Sequence, residues 1–236
     1  ELDLAETALV DGRVLPGEVG EVGVDGDGDD LDIALLELGE AVVVGEDLGV
    51  VPAYVSKSLS EHGILGCAVE WFEQFDGEFR APKDWRPYAL ASVNTHDLPP
   101  AAGYLEYGHV KLREQLGLLS GPVEEFQKSA EAEHNAMLSM LVDEGYLDAS
   151  ALEDELANEN EIIDALYRGL KGSPCKLMAA SIVDAVGEKR TQNQPGTCNE
   201  YPNWRIPLAD GDGNVVPLEE LFGNTRLQEI AAIMRG

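Results

Sequence analysis

Short apolar runs and longer periodic stretches alternate along this chain. The runs at residues 41–45, 66–72 and 89–95 are bounded by glycine, proline and charged residues, which predicts β-strands. Between the first two runs, Pro52 stands where the first turn of a helix tolerates proline, and Gly63 is a good stop signal. The order strand, helix, strand, strand is typical of an α/β barrel or a doubly wound sheet.

The following stretch, from about residue 103 to 170, has helical periodicity. Gly121 and Pro122 open one predicted helix, and Ser150 with Glu153 forms a predicted capping box before another. The remaining predicted elements are a strand running into a short helix, a hairpin or tight loop, and a last helix, at 176–186, 206–218 and 227–234.

The first residues differ from the rest in composition. Residues 1–38 are rich in glycine and aspartate and poor in bulky apolar residues, which indicates a loop or loosely ordered arm. Valines at 19–24 allow a short hairpin there, and residues 31–38 allow a short helix. We therefore divide the chain into an atypical N-terminal segment, 1–38, and an α/β unit, 39–236, with a helical subdomain at about 103–170.

Charge and cysteine content narrow the functional classes. The 236 residues include 45 acidic and 16 basic side chains, a formal net charge of −29. Such a surface repels phosphate backbones and anionic membranes, so we expect no nucleic-acid or membrane partner. Three separated cysteines without a CxxC pair, and no apolar stretch long enough to span a bilayer, favour a cytoplasmic location.

Two carboxylates follow predicted strands directly. Glu46 closes the run at 41–45 and Asp97 closes the run at 89–95. In parallel α/β barrels the chemistry lies at the carboxyl ends of strands, and two such acids are the minimum for cleaving a glycosidic bond. Partial burial at a strand end would suit Glu46 to acid/base chemistry. Alternatively, Glu46 is a solvent-facing acid in a loop or a charge partner for a helix N-terminus, a role that suits Asp47 better. Asp97 alternatively caps the following helix.

Three longer segments carry a family resemblance. In family order, they resemble the 4-α-glucanotransferases, or amylomaltases, of the α-amylase clan: VVVGEDLG at 42–49, NTHDLP at 94–99 and NQPGTCNEYPNWR at 193–205. The resemblance covers roughly residues 40–236 and implies the C-terminal half of a (β/α)8 TIM-type barrel, with a helical insertion after the seventh strand.

The resemblance also implies a reaction. Members of this family transfer an α-1,4-glucan segment to the 4-hydroxyl of an acceptor glucan and retain the anomeric configuration. They bind maltooligosaccharides and need no metal or organic cofactor. Glu46 would be the general acid/base after the fifth strand, Asp97 the transition-state stabiliser after the seventh, and His96 a sugar contact at the cleavage point.

Further substrate contacts are expected beside these residues. Asn94 precedes His96 in the second motif, and Asn203 and Trp204 belong to the third. Asn203 and Trp204 are expected either to hydrogen-bond to and stack on glucose rings or to belong to a packed, proline-rich loop.

The sequence departs from the family where the nucleophile belongs. The family's Arg-x-Asp-His-type motif does not precede Glu46, so we expect impaired transfer by this chain alone, with a missing N-terminal segment or a partner chain supplying the nucleophile. The alternative is a non-catalytic α-glucan-binding module or inactive fragment. A calcium-dependent module is disfavoured. The Asp-Gly repeat at 25–29 lacks the residues that a calcium loop requires at its sixth and twelfth positions, and the repeat at 210–214 fails likewise.

Overall fold

The computed structural model divides the chain into two units, Glu1–Ala41 and Val42–Gly236. The residues it describes are 9–10, 13–14, 42–49, 51–155 and 157–235. The sequence-based boundary after residue 38 stays a prediction, and the elements predicted at 19–24 and 31–38 lie outside the described residues.

The described residues of the two units form seven strands and eight α-helices. The strands are β1 Leu9–Val10, β2 Arg13–Val14, β3 Gly66–Val69, β4 Gln74–Phe75, β5 Glu78–Phe79, β6 Ala89–Ser92 and β7 Leu177–Ala179. The α-helices are α1 Ala53–Glu61, α2 Ala101–Leu105, α3 Gly108–Gln115, α4 Val123–Asp143, α5 Glu159–Gly172, α6 Ile182–Val186, α7 Leu218–Leu221 and α8 Thr225–Arg235. Short 3₁₀ helices cover Glu70–Phe72, Pro82–Asp84 and Ala149–Glu153. In the first unit, β1 and β2 form an antiparallel pair.

A parallel sheet organises the second unit. Its strand order is β3-β6-β7, and both pairings are parallel. Residues 42–46 run alongside β3, where Val44 makes a parallel bridge to Leu65. Two backbone hydrogen bonds hold that bridge, Leu65 N to Val43 O at 3.0 Å and Gly45 N to Leu65 O at 2.7 Å. All four segments therefore present their carboxyl ends at one edge of the sheet.

The strands are shorter than the apolar runs predicted. β3 ends at Val69 because Glu70–Phe72 turns into a 3₁₀ helix, and β6 ends at Ser92. The run at 41–45 keeps only the bridge at Val44 within the described residues. Apolar content marks where a strand begins, whereas local turns decide where each one leaves the sheet.

The core lies between this sheet and the long helices that separate β6 from β7. Alanines on β3 and β6, at Ala68, Ala89 and Ala91, are fully buried, and small side chains let a helix approach a sheet closely. The helices contribute a larger apolar set to the same cluster: Met137, Leu138, Leu141, Ile162, Ile163, Ala165, Leu166 and Leu170.

Helix boundaries confirm most predicted signals and correct one. α1 follows Pro52, and α4 begins directly after Pro122, as predicted. The predicted capping box of Ser150 and Glu153 is wrong: Asp148 caps a 3₁₀ turn by accepting 2.8 Å from Ser150 N, and α5 begins only at Glu159. Across the described part of the chain, no helix has the length and apolar character needed to cross a membrane.

Candidate functional site

Both candidate acids lie beyond the carboxyl edge of the sheet. Glu46 comes two residues after the bridge at Val44, and Asp97 follows β6 by a short turn. Within the sheet, β3 lies between residues 42–46 and β6, so two strand spacings of about 4.8 Å each separate the segments that lead to the two acids. Glu46 and Asp97 therefore leave the same edge of the sheet from segments that are not adjacent.

Glu46 itself is exposed, which corrects the expectation of partial burial. The buried carboxylate at this strand end is the next residue, Asp47, whose side chain is 1% exposed. Its oxygens accept hydrogen bonds from the two terminal nitrogens of Arg86, at 2.5 and 2.6 Å, and from Cys67 N at 2.9 Å. Ser56 on α1 donates to it at 3.0 Å. Asp47 therefore fixes the backbone that carries Glu46 against β3 and α1.

Electrostatics agree with this anchoring role for Asp47. Burial by itself would raise the pKa of the Asp47 carboxyl, but hydrogen bonds from Arg86 and Cys67 outweigh it and hold the pKa below its ordinary value. Arg86 also donates to the carbonyl oxygen of Cys67. The pair therefore stays ionised at neutral pH.

Around Asp97 the structure brings three polar and aromatic side chains together. Asn193 Nδ2 donates to Asp97 Oδ1 at 2.6 Å, and Asn193 N donates to the carbonyl oxygen of His96 at 3.2 Å. His96 Nε2 lies 3.4 Å from Asp97 Oδ1, and the His96 ring centroid lies 5.1 Å from that of Trp204. We call His96, Asp97, Asn193 and Trp204 the Asp97 cluster.

The Asp97 cluster is open to a ligand. The side chains of His96 and Asp97 are 40% and 46% exposed, and Trp204 is 64% exposed. Trp204 has the left-handed backbone conformation, with φ of 59°, and its N–H donates to Gln192 O at 3.0 Å. Bulky residues rarely adopt this conformation, so the loop fold holds an aromatic ring out toward solvent against its local preference.

The two predicted asparagines point elsewhere. Asn94 is buried, and its amide donates to both carboxylate oxygens of Asp184, at 2.9 and 2.8 Å. Asn203 Oδ1 accepts from Gln194 N at 2.8 Å, and its Nδ2 donates to Thr197 Oγ1 at 2.8 Å. Both amides therefore hold loops, and their assignment as sugar contacts stays a prediction.

Two residues that the structure ties to the cluster were missed by sequence reasoning. Asn193 is the first residue of the third motif, and its amide side chain, which can donate a hydrogen bond to a carboxylate, was the available signal. Asp184 is a lone acid in the apolar helix α6, and a charged residue in an apolar run was a signal for a buried hydrogen-bonding role.

A groove of about 320 Å³ adjoins the Asp97 turn through Leu98 and Pro99. Trp71 and Tyr104 contribute to its wall and stack with ring centroids 4.0 Å apart. His109 also lines the groove. Burial, and to a smaller extent the positive charge of the nearby Arg113, lowers the pKa of His109 to about 4, so its ring is neutral at pH 7. The groove is thus mainly apolar beside an acidic, solvent-open cluster.

Metal-binding arrangements do not occur among the residues described. No group of three or more His, Cys, Asp or Glu side chains there is placed to hold an ion. In the 210–214 repeat, Asp210 Oδ1 instead accepts from Asp212 N at 3.0 Å and from Asn214 N at 2.9 Å, which closes a turn. What the site offers chemically is carboxylates, an imidazole, an amide and an exposed indole, a set suited to a polyhydroxylated ring.

Comparison with known proteins gives one consistent family. A family model described as 4-alpha-glucanotransferase matches residues 22–211, beginning inside the segment that composition set apart. The 4-alpha-glucanotransferase of Mycobacterium tuberculosis (strain ATCC 25618 / H37Rv) is 47% identical over 200 residues, which is 83% of this chain and 27% of that protein. That of Haemophilus influenzae is 31% identical over 192 residues, 80% of this chain and 27% of that protein.

Solved structures agree. The crystal structure of amylomaltase from Corynebacterium glutamicum is similar with a TM-score of 0.79 at 37% identity, over 87% of this chain and 30% of that one. Amylomaltase from Streptococcus agalactiae in complex with acarbose shares the fold, with a TM-score of 0.52 at 16% identity, over 87% of this chain and 34% of that one. The chain spans 27% of the length of the relatives named above.

Proposed function

The chain belongs to the 4-alpha-glucanotransferase family, and from that premise we propose that its second unit carries the acid/base and stabilising side of a retaining glucan-transfer site. In this proposal residues 42–235 are the C-terminal half of a (β/α)8 barrel, and α2–α5 are the helical insertion after the seventh strand. Support comes from the parallel order of residues 42–46, β3, β6 and β7, with helices between the last two.

The Asp97 cluster is the observation that carries the proposal. Glycosyl transfer passes through a sugar with positive charge on its ring, which an ionised carboxylate beside it stabilises. Asp97 is solvent-open and held by the Asn193 amide, so it is available to face such a ring. Trp204 offers an apolar face for a glucose ring and His96 a hydrogen bond to its hydroxyls.

Glu46 supplies proton transfer in this scheme. As the acid it protonates the leaving glycosidic oxygen, and as the base it then removes the proton from the 4-hydroxyl of the acceptor glucan. The covalent step between these two needs an aspartate nucleophile, and the family motif for it does not precede Glu46 in the sequence. We therefore propose that the chain alone binds α-1,4-glucans and maltooligosaccharides and transfers little, the nucleophile coming from another segment or a partner chain. A cytoplasmic location accompanies this proposal, supported by three free cysteines.

Binding is tested by titrating maltotriose into the isotopically labelled chain and following backbone amide resonances. We expect shifts centred on the Asp97 cluster, and a loss of affinity of at least tenfold in Trp204→Ala. Phe222→Ala removes another exposed aromatic side chain outside the cluster and should leave affinity unchanged. Equal shifts with cellotriose, the β-linked isomer, or none with either sugar, would overturn the proposal.

Chemistry is tested separately by incubating the chain with maltotriose and separating the products by chromatography. We expect no glucose release and no longer oligosaccharides from the chain alone. A ladder of products would contradict the missing-nucleophile part of the proposal. In that case Glu46→Gln must abolish the ladder while leaving binding intact, and survival of activity in that variant would remove Glu46 from the scheme.

A further inference from the structure

Asp184 is a buried carboxylate held only by neutral donors among its described hydrogen-bond partners. Its side chain is 1% exposed and accepts from Asn94 Nδ2 at 2.9 and 2.8 Å, from Ala101 N at 2.7 Å and from the Tyr167 hydroxyl at 2.7 Å. Removing a carboxylate from water is expensive, and these hydrogen bonds are what offsets that cost. Through these bonds one carboxylate on α6 connects Asn94, the start of α2 and Tyr167 on α5.

Its donors flank the turn that carries the candidate site. Asn94 stands immediately before residues 95–100 and Ala101 immediately after them, so one carboxylate holds both ends of the segment containing His96 and Asp97. Within that segment, the described hydrogen bonds include Leu98 N to Thr95 O at 3.2 Å and Asp97 N to Thr95 Oγ1 at 3.3 Å, both local. Asn193 adds links from outside the turn at His96 and Asp97, while Asp184 holds the two ends of the turn.

The same region also directs the opposite side of the cluster. After α6, the backbone passes so close to α2 that a Cβ built on Gly103 would lie 2.2 Å from the carbonyl oxygen of Lys189. The chain then reaches Asn193, whose amide contacts Asp97. Asp184 and the Gly103 contact thus fix the turn and the third motif to each other.

We propose that Asp184 is a positioning residue for Asp97 and His96, acting through Asn94 and the first N–H of α2 without touching substrate. Its relevance to catalysis rests on the proposed function, whereas its effect on the geometry of the Asp97 cluster stands without it. Catalytic groups must be held to within about 0.5 Å of their productive positions, and local turn contacts alone do not give that precision.

The decisive substitution is Asp184→Asn. It removes the charge and replaces one acceptor oxygen by an NH₂ group. Because Asn94 Nδ2 donates to both oxygens of Asp184, either orientation of the new amide sets an NH₂ group against Asn94 and breaks this two-oxygen contact at the start of the turn. The matched control is Asp164→Asn, the same chemical change at a partly buried ion pair with Arg226 that joins α5 to α8 and does not contact the turn.

The readout is the nuclear Overhauser effect between the ring protons of His96 and Trp204, whose rings are adjacent in the wild type. We expect Asp184→Asn to lose this signal and to bind maltotriose at least tenfold more weakly, while its amide spectrum stays dispersed. Asp164→Asn should lower the melting temperature yet keep both the signal and the affinity. The double variant Asn94→Asp with Asp184→Asn, which restores an amide–carboxylate pair, should recover part of the signal.

Retention of the ring contact in Asp184→Asn, or equal loss in Asp164→Asn, would overturn the proposal. If Asp184→Asn does not fold, Asn94→Ala removes the same anchor from the opposite side and must lose the ring contact. A wild-type chain that binds no maltotriose would count against the proposed function alone, because the ring contact still decides the positioning role.

Discussion

The side-chain amide of Asn193 donates a 2.6 Å hydrogen bond to the carboxylate of Asp97. The bond joins the turn after β6 to the loop after α6, and the backbone N–H of Asn193 adds a second link to His96. An acidic group that is solvent-open thereby has one oxygen oriented by a neutral donor and the other left for a ligand.

Replacing Asn193 tests this arrangement. Asn193→Ala removes the donor that orients the Asp97 carboxylate and should weaken maltotriose binding by about tenfold, because that carboxylate must then be ordered when the sugar binds. Asn193→Asp should weaken it further, because two carboxylates then face each other. Calorimetric titration measures both, and Asn199→Ala, a change at an exposed asparagine of the same loop, is the control. Equal affinity in Asn193→Asp and wild type would contradict the role.

Glu70 gives a pH prediction. It is fully buried directly after β3, and both of its carboxylate oxygens lack a hydrogen-bond partner among the described residues. Burial, with repulsion from Glu73 second, raises the pKa of Glu70 from 4.5 to about 8. Between these two values the folded state binds more protons than the unfolded state, so the free energy of unfolding should fall as pH rises from about 4.5 to about 8.

Removing the Glu70 carboxyl should flatten that dependence. We expect Glu70→Leu to raise stability at pH 8 by a few kcal/mol, on the order given by a shift of several pKa units, and to have a smaller effect at pH 5. Urea unfolding at both pH values measures this. Glu78→Gln, a change at an exposed glutamate on β5, is the control. The assignment would be ruled out if the stability of the wild type rose across this pH interval and that of Glu70→Leu rose with the same slope.

Gly103 gives a packing prediction. In most helices glycine to alanine gains about 1 kcal/mol, but here the added carbon would lie 2.2 Å from Lys189 O. We expect Gly103→Ala to destabilise the fold by about 1–3 kcal/mol because a backbone atom must move. At Gly121 the nearest atoms to an added carbon are 3.8 Å away, so Gly121→Ala should be nearly neutral. Thermal unfolding compares the two, and equal melting temperatures would refute the close contact.

Asp47 gives an acid-stability prediction. Its pKa is lowered in the folded state, so its contribution is present above its ordinary value of 3.8 and is lost as pH falls through the folded-state pKa. Asp47→Asn should cost about 2 kcal/mol at pH 7 and much less at pH 2–3. Glu61→Gln, at an exposed pair with Lys57, should change stability by less than about 0.5 kcal/mol. Denaturant unfolding at both pH values checks the pattern, and a pH-independent loss would contradict it.

Sequence patterns predicted where elements begin better than where they end. Pro122 marked the start of α4 because proline is compatible with the first turn of a helix, a property of the chain itself. The cap at Asp148 was missed because Ser150 offered a plausible motif of its own, and only the folded turn decides which oxygen receives the N–H. Glu46 was expected to be partly buried, but burial depends on how residues distant in sequence pack around a strand end.

The sequence by itself determined the order of the parallel strands and of the longer helices, though not the β4–β5 hairpin or α7, together with the three motifs of the 4-alpha-glucanotransferase family and His96 and Asp97 as neighbours after one strand. These follow from local periodicity and residue identity, which the chain carries in any conformation. Only the tertiary structure decided that Asn193 reaches Asp97, that Asp184 holds both ends of the turn, and that Asp47 rather than Glu46 is buried. Each is a contact between residues far apart in sequence, set by the register of the parallel sheet and the packing of helices on it.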